Sequence, residues 1–367
     1  MATSLSKTIG IVLSAIFLTP DRLASELDRF DCIIDVRSPA EYALDHIPGS
    51  INCPVLNNEE RAQVGTIYKQ ESPFAAKKIG AALVAKNIAH HLQAQFLNQD
   101  RDWTPLVYCW RGGERSGAFT HILQRVGWKA EQLKGGYQSF RRQVIDDLER
   151  WVPQLQFKVI CGTTGSGKTR LIEALKGKTQ VLDLEGLAVH RGSILGAYPN
   201  QAQPTQKAFE TALWNQLRQF DSGQPIYVES ESKKVGGLHI PDALMERIRE
   251  GDCIEIVADR AVRVDCLMED YEHFLDDGET LGNLLKLLTQ RFGKEQISHW
   301  QRLAQDGQFP QLVEELLIKH YDPAYTDSIV RNFPKYQNAM KLHLSSAKRS
   351  SYHELANQLL SAYELNA

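Results

Sequence analysis

The first part of the chain alternates short apolar runs with amphipathic segments. Apolar runs at 15–18, 32–37 and 105–108 predict strands. The second run shows no alternation of polar and apolar positions, so we expect it to be buried on both faces of a sheet. Apolar residues at helical spacing predict helices at 20–30 and 39–44. Short strands separated by helices at this pace indicate a parallel α/β sheet.

The second part of the chain begins the same pattern again and then changes to helices. Beyond Pro153, four apolar runs predict strands, at 157–161, 181–186, 225–232 and 252–257. The polar stretch 233–237 predicts a flexible basic loop. From Arg260 onward the spacing is helical, with a turn at 321–325, a short strand-like piece and a last helix at 351–365. We therefore predict a tail, an α/β domain, a second α/β domain and a helical C-terminal region, at 1–14, 15–150, 155–260 and 261–367.

Length, net charge and cysteine spacing limit the classes of protein to which this chain can belong. The 367 residues suffice for two or three domains, and the formal net charge of −3 means that any contact with nucleic acid depends on local basic patches. The six cysteines are scattered without a closely spaced pair, which argues against a disulfide scaffold or a zinc knuckle and favours a reducing cytosol. The apolar run at 9–18 is too short to span a membrane and lacks a cleavage site. We expect a cytoplasmic protein with neither membrane nor DNA as a partner.

The strand predicted at 105–108 leads into a cysteine, two glycines and a helical pattern that starts at Ser116. A thiol in this position faces backbone N–H groups and the positive end of a helix dipole. Arg111 and Arg115 add two positive charges to the loop, and Gly112 and Gly113 allow it to turn tightly. These effects favour the thiolate, so Cys109 is the predicted catalytic nucleophile and its loop the predicted anion-binding site.

A second phosphate-binding pattern follows the strand predicted at 157–161. The octet Gly-Thr-Thr-Gly-Ser-Gly-Lys-Thr at 162–169 lies between that strand and a helix, which is the context a P-loop requires. We expect its backbone N–H groups to bind a diphosphate, Lys168 to reach the terminal phosphate and Thr169 to bind Mg²⁺. The predicted diphosphate-binding residues are Gly162, Gly165, Ser166, Gly167, Lys168 and Thr169.

Carboxylates end the next two predicted strands of this domain. Asp183 and Glu185 belong to the first of these strand ends, and Glu229 belongs to the second. They are predicted as acid or metal contacts beside the P-loop, with helix capping as the alternative for residues at a strand end. No tightly bound cofactor is expected, and Mg²⁺ is the candidate ion.

Several segments of the first domain resemble the signatures of a rhodanese domain. The matching segments are 33–37, 41–42, 46–52, the Cys109 loop and 133–137. Cys109 and Arg115 stand six positions apart, one more than in the common rhodanese loop, as in related phosphatases of that fold. The resemblance implies a loop cysteine that carries a chalcogen, and the longer loop suits a donor bulkier than thiosulfate.

The order of a rhodanese-like domain and a P-loop parallel-sheet domain is similar to that of the bacterial tRNA 2-selenouridine synthases. The segments that carry this resemblance are 65–70, 109–116, 135–137, 183–188, 190–193 and 321–323. The resemblance implies a transferase that alkylates the wobble 2-thiouridine of tRNA with geranyl diphosphate and then replaces the S-geranyl group with selenium from selenophosphate. It further implies that the P-loop binds geranyl diphosphate, that Cys109 carries selenium, and that a selenophosphate supply system is a partner.

Three other functions remain open on the residues alone. An ATP-dependent tRNA sulfurtransferase or kinase would hydrolyse nucleotide at the P-loop. A phosphatase would fit the length of the cysteine loop but needs a general acid, for which Glu114 is the local candidate. A non-catalytic protein that binds tRNA would not depend on Cys109.

Overall fold

The computed structural model describes residues 17–193, 196–198, 201–272 and 278–364. The chain divides into two compact units, 1–147 and 148–367. Each unit contains a five-stranded sheet in which all neighbouring strands run parallel. The predicted α/β class with two parallel sheets is therefore confirmed. The predicted tail at 1–14 lies outside the described residues, as do the first two residues of the strand predicted at 15–18.

The first unit has the strand order β1-β5-β4-β2-β3. Its strands are β1 (Phe17–Leu18), β2 (Cys32–Asp35), β3 (Ser50–Asn52), β4 (Pro105–Tyr108) and β5 (Glu131–Leu133). Its helices are α1 (Pro20–Glu26), α2 (Pro39–Leu44), α3 (Asn58–Gln70), α4 (Pro73–His91), α5 (Glu114–Val126) and α6 (Gly136–Trp151), the last of which continues into the second unit.

Local signals in the sequence account for the starts of these helices. Ser38 and Glu41 form a capping box at the start of α2, and Asn57 and Glu60 form another at the start of α3. Each box satisfies backbone N–H groups that have no partner within the helix. All four residues of β4 are buried, as expected for a central strand of a parallel sheet.

The second unit has the strand order β12-β11-β6-β8-β7 and a separate hairpin. Its strands are β6 (Phe157–Cys161), β7 (Gln180–Leu182), β8 (Ile226–Glu229), β9 (Lys234–Val235), β10 (Leu238–His239), β11 (Asp252–Ala258) and β12 (Met340–Leu344). Its helices are α7 (Lys168–Leu175), α8 (Leu184–Ala188), α9 (Gln206–Leu217), α10 (Asp242–Arg249), α11 (Arg260–Asp270), α12 (Gly278–Leu285), α13 (Thr289–Gln305), α14 (Phe309–Leu316), α15 (Asp322–Asn332) and α16 (Arg349–Glu364).

Two predictions for the second unit, a strand boundary and a loop, are wrong. The strand predicted at 181–186 ends at Leu182, because the Asp183 side chain accepts a hydrogen bond from the Gly186 N–H at 2.8 Å and starts α8. The loop predicted at 233–237 is an antiparallel hairpin, β9 with β10, because Val235 and Leu238 turn their side chains into the core. Both segments are too short for a periodic pattern to identify them.

The turn predicted at 321–325 is also wrong, since the structure has the start of α15 there. Pro323 lies in the first turn of that helix, where its missing N–H costs no hydrogen bond. No helix among the described residues combines the length and the apolar character that a membrane crossing requires.

The C-terminal region contributes to the P-loop sheet in addition to its helices. β12 pairs in parallel with β11 at the edge of the sheet, and Leu342 is fully buried there. Side chains of α16 share a core with side chains of α7, the helix that follows the P-loop. The segment that closes the chain thus supports the P-loop from one side.

We expect Leu342→Ala to lower the free energy of unfolding by about 2–5 kcal/mol, because it removes a fully buried side chain from the sheet and leaves a cavity. Urea unfolding followed by circular dichroism measures the change. The exposed neighbour Lys341 supplies the control, since Lys341→Ala is expected to change stability by less than about 0.5 kcal/mol. Equal stabilities for the two variants would contradict a structural role for β12.

Candidate functional site

The Cys109 loop connects the end of β4 to the start of α5. Cys109 is 3% exposed and packs in a core with Val107 and Phe119. Ser116 donates a hydrogen bond to the Cys109 Sγ at 3.1 Å, and the Ser116 hydroxyl accepts one from the Gln132 side chain at 2.8 Å. A hydroxyl held in this way would stabilise negative charge on the sulfur during a reaction. The arrangement suits a nucleophile that is protected from bulk water.

A second segment, 133–137, closes against this loop. The Cys109 carbonyl accepts a hydrogen bond from the Tyr137 N–H at 2.8 Å. A Cβ added to Gly136 would lie 2.2 Å from the Cys109 carbonyl oxygen, and one added to Gly112 would lie 2.6 Å from the Leu133 carbonyl oxygen. Both glycines also have positive φ angles. The two segments can approach this closely only because these positions lack side chains.

The two arginines of the loop have different surroundings. Arg111 is exposed, and no acidic partner for it is found among the described residues. Arg115 is half-buried and forms an ion pair with Glu41 at 3.1 Å, and Arg61 pairs with the same carboxylate at 3.0 Å. Burial raises the pKa of Glu41, but Arg115 and Arg61 outweigh burial and hold that pKa below its usual value. Glu41 therefore positions Arg115, while Arg111 is available to an anion.

The first unit has two further thiols, Cys32 and Cys53. Burial raises the pKa of Cys32 to about 11 and that of Cys53 to about 12. Both thiols stay protonated at neutral pH and are poor nucleophiles. Gly113, the remaining predicted loop residue, is the N-cap of α5.

The P-loop lies between β6 and α7, so the predicted strand–loop–helix context is confirmed. Gly162, Gly165 and Gly167 have φ angles of 153°, 81° and 76°, which side chains rarely allow. The Lys168 ammonium donates to the Gly162 carbonyl at 2.9 Å. The Lys168 side chain therefore folds back onto the first residue of the loop. An ammonium in this position can contact a phosphate bound by the loop.

Residues far along the chain hold the P-loop in this shape. Arg263, 6% exposed, donates from Nε to the Thr164 carbonyl at 2.9 Å and forms an ion pair with Asp322. The Tyr325 hydroxyl accepts a hydrogen bond from the Gly162 N–H at 2.6 Å. A Cβ on Gly167 would lie 2.2 Å from the Tyr352 hydroxyl, so Tyr352 packs directly on the loop.

Carboxylates gather beside the P-loop. Oxygen atoms of Glu185, Glu229 and Glu231 lie within 4.8 Å of one another. Thr169 donates a hydrogen bond to Glu185 at 2.9 Å, which brings the predicted metal-binding hydroxyl into the cluster. Burial, followed by the neighbouring carboxylates, raises the pKa of Glu229 well above its usual value and that of Glu231 to about 8. Asp183 instead caps α8 and pairs with Lys176 at 2.7 Å.

The chemistry of this cluster fits Mg²⁺. Both carboxylate oxygens of Glu229 are buried without a hydrogen-bond partner. A buried, unpaired carboxylate is costly unless it is protonated or binds a cation, and an all-oxygen donor set is the one Mg²⁺ prefers. Thr169, Glu185, Glu229 and Glu231 would hold the ion, which when bound would offset the negative charge of a diphosphate.

Several residues of these two loops were missed by the sequence reasoning. Ser116 and Gln132 act on Cys109, Glu231 completes the carboxylate cluster, and Arg263 and Tyr325 support the P-loop. Glu231 stands two positions after Glu229, so its proximity was available from the sequence. Ser116 stands seven positions after Cys109, so it was also close in sequence. The partners of Gln132, Arg263 and Tyr325 are 16, 99 and 163 positions away, and no local pattern reveals them.

We expect Gly136→Ala to destabilise the first unit, because its new methyl group would overlap the Cys109 carbonyl and its φ of 59° strains any side chain. A loss of about 1–3 kcal/mol is the magnitude typical of such strain. Denaturant unfolding monitored by tryptophan fluorescence measures it. Gly113→Ala is the matched control, since a Cβ there meets nothing within 4 Å. Equal stabilities would contradict the close approach of the two segments.

The carboxylate cluster also predicts a pH dependence. Glu231 has a pKa of about 8 in the folded protein and an ordinary value of 4.5, so the folded state binds its proton more tightly than the unfolded state. Its contribution to stability is therefore present at low pH and is lost as pH rises from about 4.5 to about 8. In metal-free protein, thermal unfolding at fixed ionic strength is expected to show a falling Tm across this range, with a smaller slope for Glu231→Gln.

Glu246→Gln on the exposed side of α10 serves as the control and should leave the slope unchanged. Added Mg²⁺ should raise the Tm more at alkaline than at acidic pH, because the ion requires ionised carboxylates. A Glu231→Gln slope equal to that of the parent chain would show that the cluster does not titrate in this way.

Two family models match this chain, one in each half of the sequence. Residues 19–143 match the family model described as a rhodanese-like domain, and residues 155–335 match the one described as the tRNA 2-selenouridine synthase AAA domain. A crystal structure of a rhodanese-related protein from Thermoplasma volcanium is 20% identical, covering 35% of this chain and 92% of that one with a TM-score of 0.24.

Curated relatives align with different shares of this chain. The tRNA 2-selenouridine synthase of Nitrosomonas europaea is 38% identical over 243 residues, which are 65% of this chain and 63% of that protein. The chain thus spans less than two thirds of the length of that relative. The tRNA 2-selenouridine synthase of a Sulfurovum species is 32% identical over 330 residues, which are 82% of this chain and 89% of that protein. On this similarity, the chain belongs to the family of tRNA 2-selenouridine synthases.

Proposed function

We propose that this chain converts the wobble 2-thiouridine of tRNA to 2-selenouridine through an S-geranyl intermediate, with geranyl diphosphate and selenophosphate as co-substrates. The observation that carries the proposal is the pairing, in one chain, of a cysteine loop with a donor hydroxyl on its sulfur and a P-loop with its lysine in place. Each loop suits one of two consecutive transfers.

The first transfer needs a site that accepts a leaving diphosphate. The sulfur of 2-thiouridine attacks carbon 1 of the geranyl group, and the carbon–oxygen bond breaks with its electron pair leaving on the diphosphate. Lys168 and the backbone N–H groups of the P-loop would stabilise the charge that develops on this leaving group. Mg²⁺ held by the Glu185, Glu229 and Glu231 cluster would add to that stabilisation.

The second transfer replaces sulfur with selenium at carbon 2 of the base. A thiocarbonyl sulfur is a poor leaving group, whereas an alkylated sulfur departs as geranyl thiol, so two steps replace one high barrier. The selenium of selenophosphate attacks carbon 2, and geranyl thiolate leaves with the electron pair of the carbon–sulfur bond. Water then cleaves the selenium–phosphorus bond and releases phosphate, so selenium keeps its oxidation state. We assign this step to the loop of Cys109, whose buried sulfur accepts the Ser116 hydrogen bond. Arg111 and the positioned Arg115 would hold the phosphate of selenophosphate.

The two steps are expected to separate in variants. Cys109→Ala should abolish selenium insertion and leave geranylation of thiolated tRNA intact, because the P-loop unit is unchanged. Lys168→Ala should reduce geranylation by about 10²-fold or more, through loss of a charge on the leaving group. It should still insert selenium into tRNA that is already geranylated. Mass spectrometry of nucleosides from each single-step assay measures both activities.

Cys32→Ala is the matched control for Cys109→Ala, since Cys32 is a half-buried thiol of the same unit and lies outside the loop. A Cys109→Ala variant that still makes selenouridine would refute the assignment of selenium handling. Rapid ATP turnover by the parent chain together with no response to geranyl diphosphate would instead favour an ATP-dependent sulfurtransferase or kinase.

A further inference from the structure

An apolar pocket lies next to the P-loop in the second unit. It is partly open to solvent, and its surface is mostly apolar. Its lining comes from the P-loop, α11, α12, α14 and the segment before α15. The lining residues with apolar side chains are Leu267, Met268, Leu281, Phe309, Leu312, Val313 and Leu316.

The pocket begins where the phosphate-binding loop ends. Thr164 belongs to the P-loop and also lines the pocket, and its carbonyl is held by Arg263. Gly165 faces the same wall, since a Cβ at that position would lie 3.0 Å from the Leu267 side chain. The apolar space therefore borders the P-loop directly.

We propose that this pocket binds the hydrocarbon chain of geranyl diphosphate while the P-loop binds the diphosphate. The inference rests on the proposed function and deepens it by naming the residues that select a prenyl chain. Burial of apolar surface supplies the affinity, because each methylene removed from water adds to binding. The diphosphate fixes which end of the chain faces the attacking sulfur.

The polar groups of the pocket fit an alkyl chain better than a nucleotide base. Besides Thr164, its lining includes two polar side chains, Tyr271 and Tyr321. The Tyr271 hydroxyl lies 3.2 Å from the Ser193 hydroxyl and is engaged there. A buried base whose ring nitrogens and amino group lacked partners would bind poorly, because each unpaired polar group costs free energy.

The segment His-Arg-Gly-Ser at 190–193 lies between the pocket and the carboxylate cluster. Ser193 contacts Tyr271 on the pocket side, and the Arg191 guanidinium lies 4.9 Å from the centre of the Tyr271 ring. Gly192 faces the carboxylates, since a Cβ there would lie 2.6 Å from a Glu231 oxygen. One short segment thus joins the wall of the apolar pocket to the cluster that fits Mg²⁺.

Val313→Asp tests the proposal, because it places a charge in the pocket at a half-buried position that tolerates substitution better than the buried leucines. Calorimetric titration of the full chain is done with geranyl diphosphate and, separately, with inorganic diphosphate, both with Mg²⁺. We expect the Kd for geranyl diphosphate to rise by about tenfold or more and the Kd for inorganic diphosphate to stay within about twofold. Val330→Asp, at an exposed position of α15, is the matched control and should change neither value.

Chain-length preference gives a second, independent measurement. Val313→Phe reduces the space in the pocket, so it should shift the ratio of kcat/KM values from geranyl toward the five-carbon dimethylallyl diphosphate by about tenfold. Unchanged geranyl diphosphate binding in Val313→Asp, or an unchanged ratio in Val313→Phe, would overturn the pocket assignment while leaving the proposed function intact. A parent chain that binds inorganic diphosphate but transfers no prenyl group would overturn the proposed function itself.

Discussion

The buried guanidinium of Arg263 connects two segments of the second unit that are far apart in sequence. Arg263 bridges the Thr164 carbonyl of the P-loop and the Asp322 carboxylate at the start of α15. An arginine with this little exposure needs its charge compensated, and Asp322 supplies that compensation. The same bridge ties the P-loop to the helices that form the apolar pocket. The P-loop and the pocket therefore share one support.

The carboxylate cluster beside the P-loop lowers the stability of the fold when no cation is bound. Three carboxylates lie beside Lys168, and burial together with mutual repulsion raises the pKa values of Glu229 and Glu231. Chains selected for stability alone avoid buried, unpaired carboxylates. A cation bound between these carboxylates would supply the opposite charge, which is why the donor set fits a metal ion. Asp183, which is paired and capping a helix, supports the backbone around the cluster.

Local sequence patterns were sufficient for the fold class and for the positions of the Cys109 loop and the P-loop between a strand and a helix. β6, the P-loop and α7 are contiguous in sequence, so the motif and its context could be read together. The patterns failed where a contact is distant or a segment is short. The sequence places Asp183 at the end of a strand, whereas its side chain caps the N-terminus of α8. The strands of the hairpin have two residues each, which is too short for a periodic pattern to show. In the sequence, Arg263 is one polar residue of an amphipathic helix. Its partners lie 59 and 99 positions away, so the sequence does not show its role.

In both units, glycines allow a distant segment to lie directly on a loop that follows a strand, and this explains the positions of several signature residues. A loop that binds an anion must expose its backbone, so its shape has to be enforced by segments packed behind it. In the first unit, Gly112 and Gly136 allow the segment 133–137 to lie directly on the Cys109 loop. In the second unit, Gly167 allows Tyr352 to lie directly on the P-loop. A substitution at these glycines would move a whole segment, whereas one at Arg111 would remove a single charge. The distinctive short segments of the sequence therefore mark the supports of the two loops as much as the groups that contact substrate.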